Sequence, residues 1–201
     1  MLALLGFFPT YFGLFPDFPN TSWAIHFHVS TLIVWFALGV IQPILIRRQR
    51  LALHRTLGKV SYALVPLMCL GFVLAMNDGQ ARKPNPDLVL ATMFDVGLFL
   101  FFCGMGISNR HRPKFHGRFM ILTFAPFLNP SLGRLISPMV SVPIELLVIL
   151  GLMTHALVRK REAKPYIVGA IAFSISLGGL MVLMTAAPEL SQQLWQILFG
   201  A

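Results

Sequence analysis

Histidine and carboxylate side chains recur inside otherwise apolar stretches of this chain. The clearest cases are His26, His28, Asp95 and Glu145. Ionisable groups at membrane depth cost about 2.5–3.5 kcal/mol on insertion scales, so they usually face the protein interior and are paired. Two imidazoles and two carboxylates are an adequate ligand set for a transition metal ion such as iron, zinc or manganese. These four residues are therefore a candidate metal site, and the same groups could serve a proton relay.

A second group of histidines lies beside arginines at the ends of apolar stretches. Histidine is a common axial ligand of haem iron, and arginine pairs well with carboxylates such as the haem propionates. A glycine one turn after the first of these histidines, Gly58, leaves space for a flat ligand. We therefore predict a haem b site with His54 and His116 as the leading ligands. Its candidate residues are His54, His116, His155, Arg55 and Arg118.

Both sites have a structural alternative. Arg134 could form an ion pair with Glu145 or Asp95, while His26 and His28 face water at the membrane surface. Residues at positions i and i+2 of a helix lie about 200° apart, so the two histidines converge only if His26 precedes the first turn. Histidine and arginine at a membrane boundary can also simply contact lipid phosphate or loop backbone.

The elements that position these residues follow from composition. The chain has 201 residues, of which 56% are hydrophobic and only 11% are charged. A soluble domain is about 25% charged, and a disordered chain needs low hydrophobicity. The composition therefore indicates an integral membrane protein in contact with a lipid bilayer. The net charge of +9 does not indicate a nucleic-acid partner, because the basic residues lie at the ends of apolar stretches.

A membrane-spanning helix needs roughly 20 mostly apolar residues. The run from Met1 to Phe15 is short, so it either spans or dips into one leaflet, and the tail Leu190–Leu198 is amphipathic. We predict an all-α polytopic transmembrane helix bundle of about seven helices, forming a single integral membrane domain over residues 1–201. The six clear spans are Trp23–Ile46, Leu57–Met76, Leu88–Ile107, Phe119–Ile136, Val142–Val158 and Ile167–Ala187.

The distribution of Lys and Arg predicts the orientation. Thirteen of the 16 basic residues lie in three loops, at positions 47–59, 110–118 and 159–164. Short loops rich in Lys and Arg are retained in the cytoplasm. We therefore expect these three loops to be cytoplasmic and the C-terminus to lie outside.

Four stretches together are typical of one family. They read HFHVSTLIVWF, LALHRTLGKVSYAL, RPKFHGRFMIL and PSLGRLI, and they fall between Trp23 and Ile136. In this order the chain resembles a bacterial family of predicted membrane proteins of unknown function, with HxH, LHRxLG and HxRxM motifs. This resemblance implies a multi-pass protein of the bacterial inner membrane.

The LHRxLG motif and the histidines at helix ends are also distantly similar to those of cytochrome b561-type proteins. That similarity implies haem b and electron transport. No histidine lies deep in the third, fourth or fifth span, which departs from the b561 pattern and argues against a two-haem path across the membrane.

Three functions fit these residues. The first is an integral membrane protein that binds a metal ion or haem b through histidines and transfers electrons. The second is a small-solute or proton transporter whose pathway is lined by Asp95, Glu145 and Arg134. The third is a non-catalytic subunit or assembly factor that packs against membrane-protein partners or forms an oligomer. The sequence has no P-loop, GxSxG or HExxH motif, so no particular enzyme class is indicated.

Overall fold

The structure of the protein, a computed structural model, describes residues 2–199, with their side chains except those of residues 2–4, 138, 139 and 191. All regular elements in this range are helical, which confirms the all-α prediction. Met1, Gly200 and Ala201 of the predicted domain lie outside the described residues. The α-helices are α1 (Leu2–Phe7), α2 (Trp23–Arg47), α3 (Leu51–Arg82), α4 (Pro86–Ser108), α5 (Pro113–Leu122), α6 (Leu128–Leu135), α7 (Pro138–Val158), α8 (Lys164–Ala186) and α9 (Pro188–Phe199).

Five of the described helices are long and apolar enough to cross a bilayer. They are α2, α3, α4, the Val140–Val158 part of α7, and α8, and their most apolar windows have mean hydropathies between 1.8 and 2.3. The shortest of these segments has 19 residues and is about 28 Å long, close to the ~30 Å hydrocarbon thickness. The chain is therefore consistent with a multi-pass membrane protein, but the predicted count of seven is not confirmed.

The N-terminal run does not form a spanning helix. Its helical part, α1, has 6 residues and is therefore about 9 Å long. The chain continues through turns and a short 3-10 helix at Phe12–Leu14.

The predicted span Phe119–Ile136 is not one continuous helix. This part of the chain consists of α5, a 3-10 turn at Ala125–Phe127 and α6. Pro126 lies at the start of the 3-10 turn, where its missing N–H prevents a continuous helix. Phe119 and Leu122 are buried, and irregular backbone is tolerated at membrane depth where protein covers it.

This broken segment runs antiparallel to α4. The His116 ring contacts the backbone carbonyl of Gly106 near the end of α4. Further along the segment, the Phe127 ring lies 5.5 Å from the Phe99 ring, between centroids. The two contact points on α4, Gly106 and Phe99, are seven residues apart, which is about 10 Å along the helix. The segment therefore runs alongside α4 for about 10 Å although it is not one continuous helix.

The described chain divides into two compact units. Unit 1 comprises residues 2–19 and 86–194, and unit 2 comprises residues 20–85 and 195–199. The core of unit 1 is apolar and includes Leu98, Phe102, Phe119, Leu122, Ile149 and Phe173. The single integral membrane domain over residues 1–201 stays a prediction.

Unit 2 is built on the antiparallel packing of α2 and α3. Gly71 permits the close approach of the two helices, since a Cβ atom there would lie 3.1 Å from the Cα atom of His28. Trp35 and Met68 are buried in this unit. The amphipathic tail is helical as α9, and the indole N–H of Trp195 donates a hydrogen bond of 2.8 Å to the Gln80 side-chain oxygen.

Candidate functional site

A fully buried carboxylate lies in the interior of unit 1. The Glu145 side chain on α7 is 1% exposed. Neither of its carboxylate oxygens has a hydrogen-bond partner among the described residues. Burying a charged group without a partner is strongly unfavourable, so this position is not explained by packing alone.

Asp95 on α4 lines the same small cavity as Glu145. The cavity has a volume of about 30 Å³, which is enough for roughly one water molecule. Two further polar residues, Asn129 and Ser176, complete its polar wall. The rest of the wall is apolar and consists of Phe94, Leu98, Val142, Phe173, Leu177 and Leu180.

Asn129 is held in place by a neighbouring hydroxyl. The buried Ser141 side chain donates a 2.5 Å hydrogen bond to the side-chain oxygen of Asn129. This hydrogen bond orients the Asn129 side chain, which lines the cavity. Ser141 precedes Glu145 by four residues and therefore lies on the same face of α7.

The helix ends place the cavity within the depth of the bundle. Asp95 lies thirteen residues before the end of α4, and Glu145 lies thirteen residues before the end of α7. Both carboxylates are therefore about 20 Å along their helices from the ends that lead into basic loops. The cavity therefore lies well away from the end of unit 1 that carries the basic loops.

The alternative ion pair of Arg134 with Glu145 or Asp95 is not formed among the described residues. Within the described residues, the Arg134 guanidinium donates a 2.7 Å hydrogen bond to the carbonyl of Pro130. It also lies over the Phe7 ring, 4.4 Å from the centroid. Glu145 has no hydrogen-bond partner, and no ion pair joins Arg134 to Asp95 in this part of the chain. The side chain beside the Arg134 guanidinium is therefore Phe7 of α1, and not a carboxylate.

The HxH pair does not converge. α2 begins at Trp23, where Ser22 caps it by accepting a hydrogen bond from the Ile25 N–H. His26 and His28 are thus both helical and point to sides about 200° apart. The ring of His28 packs against Phe72, with 4.8 Å between centroids.

The four-residue metal site stays a prediction. His26 and His28 belong to unit 2, whereas Asp95 and Glu145 belong to unit 1. Within either unit, residues 2–199 contain no group of three or more His, Cys, Asp or Glu side chains that could hold a metal ion.

The predicted haem ligand His54 is bonded to Gln42 within unit 2. With the Gln42 amide oriented to satisfy its neighbours, its nitrogen donates to His54 Nδ1 and its oxygen accepts from the Gly58 N–H at 3.1 Å. An Nδ1 atom that accepts a hydrogen bond leaves the proton on Nε2. This tautomer makes Nε2 a donor, whereas a metal-binding histidine coordinates through an unprotonated nitrogen.

His116 has the opposite arrangement in unit 1. Its Nδ1 lies 2.8 Å from the Gly106 carbonyl, and a carbonyl can only accept, so Nδ1 carries a proton. Metal-binding histidines usually donate their second ring N–H in this way. His155 and Arg55 are exposed and Arg118 is half-buried. Haem binding by these residues stays a prediction.

Sequence reasoning missed two groups of residues. One consists of Asn129 and Ser176 in the cavity wall, with Ser141 bonded to Asn129 behind it. The four-residue spacing of Ser141 and Glu145 could have indicated that Ser141 lies on the same face of α7 as Glu145. The other is a cavity of about 580 Å³ at the basic end of unit 1, lined by Lys114, Arg118, Lys160, Arg161 and Glu162. Its charges come from α5 and from the loop between α7 and α8, which are distant in sequence, so spacing could not join them.

Comparisons with protein-family models, with curated proteins and with solved structures found no match to this chain.

Proposed function

We propose that this protein is a multi-pass membrane protein that translocates protons, with Glu145 and Asp95 as the groups that take up and release the proton. The observation that carries the proposal is the buried Glu145 carboxylate, whose two oxygens have no hydrogen-bond partner among the described residues. An intramembrane ionisable residue in a bundle interior is typical of a proton relay.

A proton suits this cavity better than a metal ion. Protonation neutralises a buried carboxylate and so removes the cost of its unpaired charge. A proton held by either carboxyl group also removes the repulsion between Glu145 and Asp95. Metal cations need several ligands, and residues 2–199 provide no group of three acidic, histidine or cysteine side chains.

The proposal includes an orientation. Two of the three basic loops contribute to one cavity at a single end of unit 1, and the positive-inside rule assigns such an end to the cytoplasm. The Glu145 cavity then lies nearer the outer surface. α8 leads away from this basic end, and we propose, as the sequence predicted, that the C-terminus is outside and that the protein lies in the bacterial inner membrane.

The test is proton flux in liposomes that contain the purified full-length protein and a trapped pH-sensitive dye. An imposed membrane potential should drive acidification, and Glu145→Gln or Asp95→Asn should reduce it to the rate of empty liposomes. The matched controls are Glu189→Gln and Asp17→Asn, which make the same changes at exposed positions. Wild-type flux in both cavity variants, with normal helical circular dichroism, would contradict the proposal, and so would flux driven by sodium alone.

A second candidate function is haem or metal binding through His116. It is favoured by the hydrogen bond from His116 Nδ1 to the Gly106 carbonyl, which orients Nε2 as the coordinating atom. Bound haem would supply one-electron redox chemistry. An absorption spectrum with a Soret band that His116→Ala abolishes would support haem. Elemental analysis that finds neither iron nor another transition metal would remove this candidate.

A further inference from the structure

The basic end of unit 1 contains a cavity that the proposed proton site does not use. Four cationic side chains and one carboxylate line its volume of about 580 Å³. Lys114 and Arg118 come from α5, while Lys160 and Arg161 come from the loop between α7 and α8. Two separate basic segments therefore meet around one space.

Arg118 is held in a fixed position at this cavity. One end of its guanidinium donates a 2.6 Å hydrogen bond to the Lys114 carbonyl. The guanidinium also lies 5.9 Å from the centroid of the Tyr166 ring. A planar guanidinium that is already oriented loses less entropy when it binds an oxyanion with its remaining N–H groups.

The single carboxylate of the cavity already has a contact in the protein. Glu162 accepts a hydrogen bond of 3.4 Å from the backbone N–H of Lys164, the first residue of α8. Within this lining the charge therefore remains positive, with four cations against one anion.

The loop also keeps Lys160 in a conformation that lysine seldom adopts. Its φ angle is 48°, in the left-handed region that favours glycine. α7 ends there in a Schellman motif, with a 2.8 Å bond from the Arg161 N–H to the Ala156 carbonyl. Glycine would remove the backbone cost at this position but would also remove the charge, and strained residues cluster at ligand sites.

We propose that this cavity binds the phosphate group of an anionic ligand, through Arg118, Lys160 and Arg161. Arginine binds phosphate oxygens in a bidentate manner, and lysine adds a point charge. Basic pockets between transmembrane helices bind anionic lipid headgroups. The phosphate can belong to a phospholipid headgroup or to a soluble compound, and the experiment distinguishes these two sources.

The test uses the purified full-length protein in a neutral detergent and measures its unfolding temperature during titration. The probes are phosphatidylglycerol, with phosphatidylcholine as its control, and inorganic phosphate, with chloride at equal ionic strength. The variants are Arg118→Gln and Lys160→Asn, since asparagine tolerates the left-handed conformation. The matched control is Arg48→Gln in the basic loop of unit 2, an exposed position.

We expect phosphatidylglycerol to stabilise the wild-type protein more than phosphatidylcholine does. Each cavity variant should weaken the apparent affinity about fivefold, the effect of one surface cation, while Arg48→Gln should not change it. Stabilisation by inorganic phosphate with the same variant pattern would identify a soluble ligand and would also support the site. Equal losses in all three variants would indicate diffuse surface charge and overturn the proposal, as would no stabilisation by either probe.

Discussion

Gly6 of α1 lies against the backbone of Ser131 in α6, so closely that a Cβ atom on Gly6 would stand 2.8 Å from the Ser131 Cα atom. A backbone contact of this kind cannot be relieved by turning a side chain, so α1 would have to move. We expect Gly6→Ala to lower the free energy of unfolding by about 1–3 kcal/mol. Thermal unfolding of the purified protein in detergent measures the change.

The control for this substitution is Gly97→Ala in α4. A Cβ atom on Gly97 meets no described atom within 4 Å beyond its chain neighbours and the adjacent backbone of α4. Alanine should therefore maintain or increase stability, by up to about 1 kcal/mol, because it is the better helix former. Equal losses in the two variants would mean that the contact between α1 and α6 is not tight in solution.

Glu145→Gln should abolish proton flux while it maintains or increases the unfolding temperature. The amide has the shape of a protonated carboxyl group but cannot ionise, so it removes the proton-binding group without adding a buried charge. Flux in liposomes and thermal unfolding at neutral pH measure the two effects separately. A loss of stability would show that the wild-type carboxylate has a structural partner, and Glu189→Gln should change neither property.

The sequence was sufficient to predict most of the long apolar helices. In a bilayer, each spanning backbone must satisfy its own hydrogen bonds, so a long apolar run indicates a helix. The predicted second span, Trp23–Ile46, matches α2 to within one residue. The prediction of a single helix over Phe119–Ile136 was wrong because hydropathy does not distinguish a continuous helix from a broken one. The residue that indicates the break is Pro126.

The candidate site was predictable residue by residue but not as an arrangement. Asp95 and Glu145 were identified because ionisable groups inside apolar runs are costly. The neighbour of Arg134 was not predicted, because the alternative ion pair relied on its depth along the chain, whereas its actual neighbour, Phe7, comes from a segment 127 residues away. Only tertiary packing decides such a contact.

The contact between Gln42 and His54 predicts the tautomer of that histidine. The Gln42 amide nitrogen donates to Nδ1, so the proton should be on Nε2 in the wild-type protein. Gln42→Glu replaces the donor with a carboxylate oxygen and should move the proton to Nδ1. The ¹⁵N chemical shifts of labelled histidine measure this change, with Gln49→Glu at an exposed position as the control.

An unchanged tautomer in Gln42→Glu would mean that Gln42 does not determine the protonation of His54. In that case the argument against haem ligation by His54 would no longer hold. The absorption spectrum of the purified protein would then have to be compared in His54→Ala and His116→Ala.

Two helices end with the same motif, and only one of the two motifs faces the basic cavity. Gln49 after α2 has φ 56° and Lys160 after α7 has φ 48°. Glycine removes a steric cost of about 1 kcal/mol or more at such positions, so Gln49→Gly and Lys160→Gly should both raise the free energy of unfolding. Only Lys160→Gly should weaken phosphatidylglycerol binding, because it alone removes a charge from the cavity. Full lipid affinity in a stabilised Lys160→Gly variant would mean that this lysine does not bind the ligand.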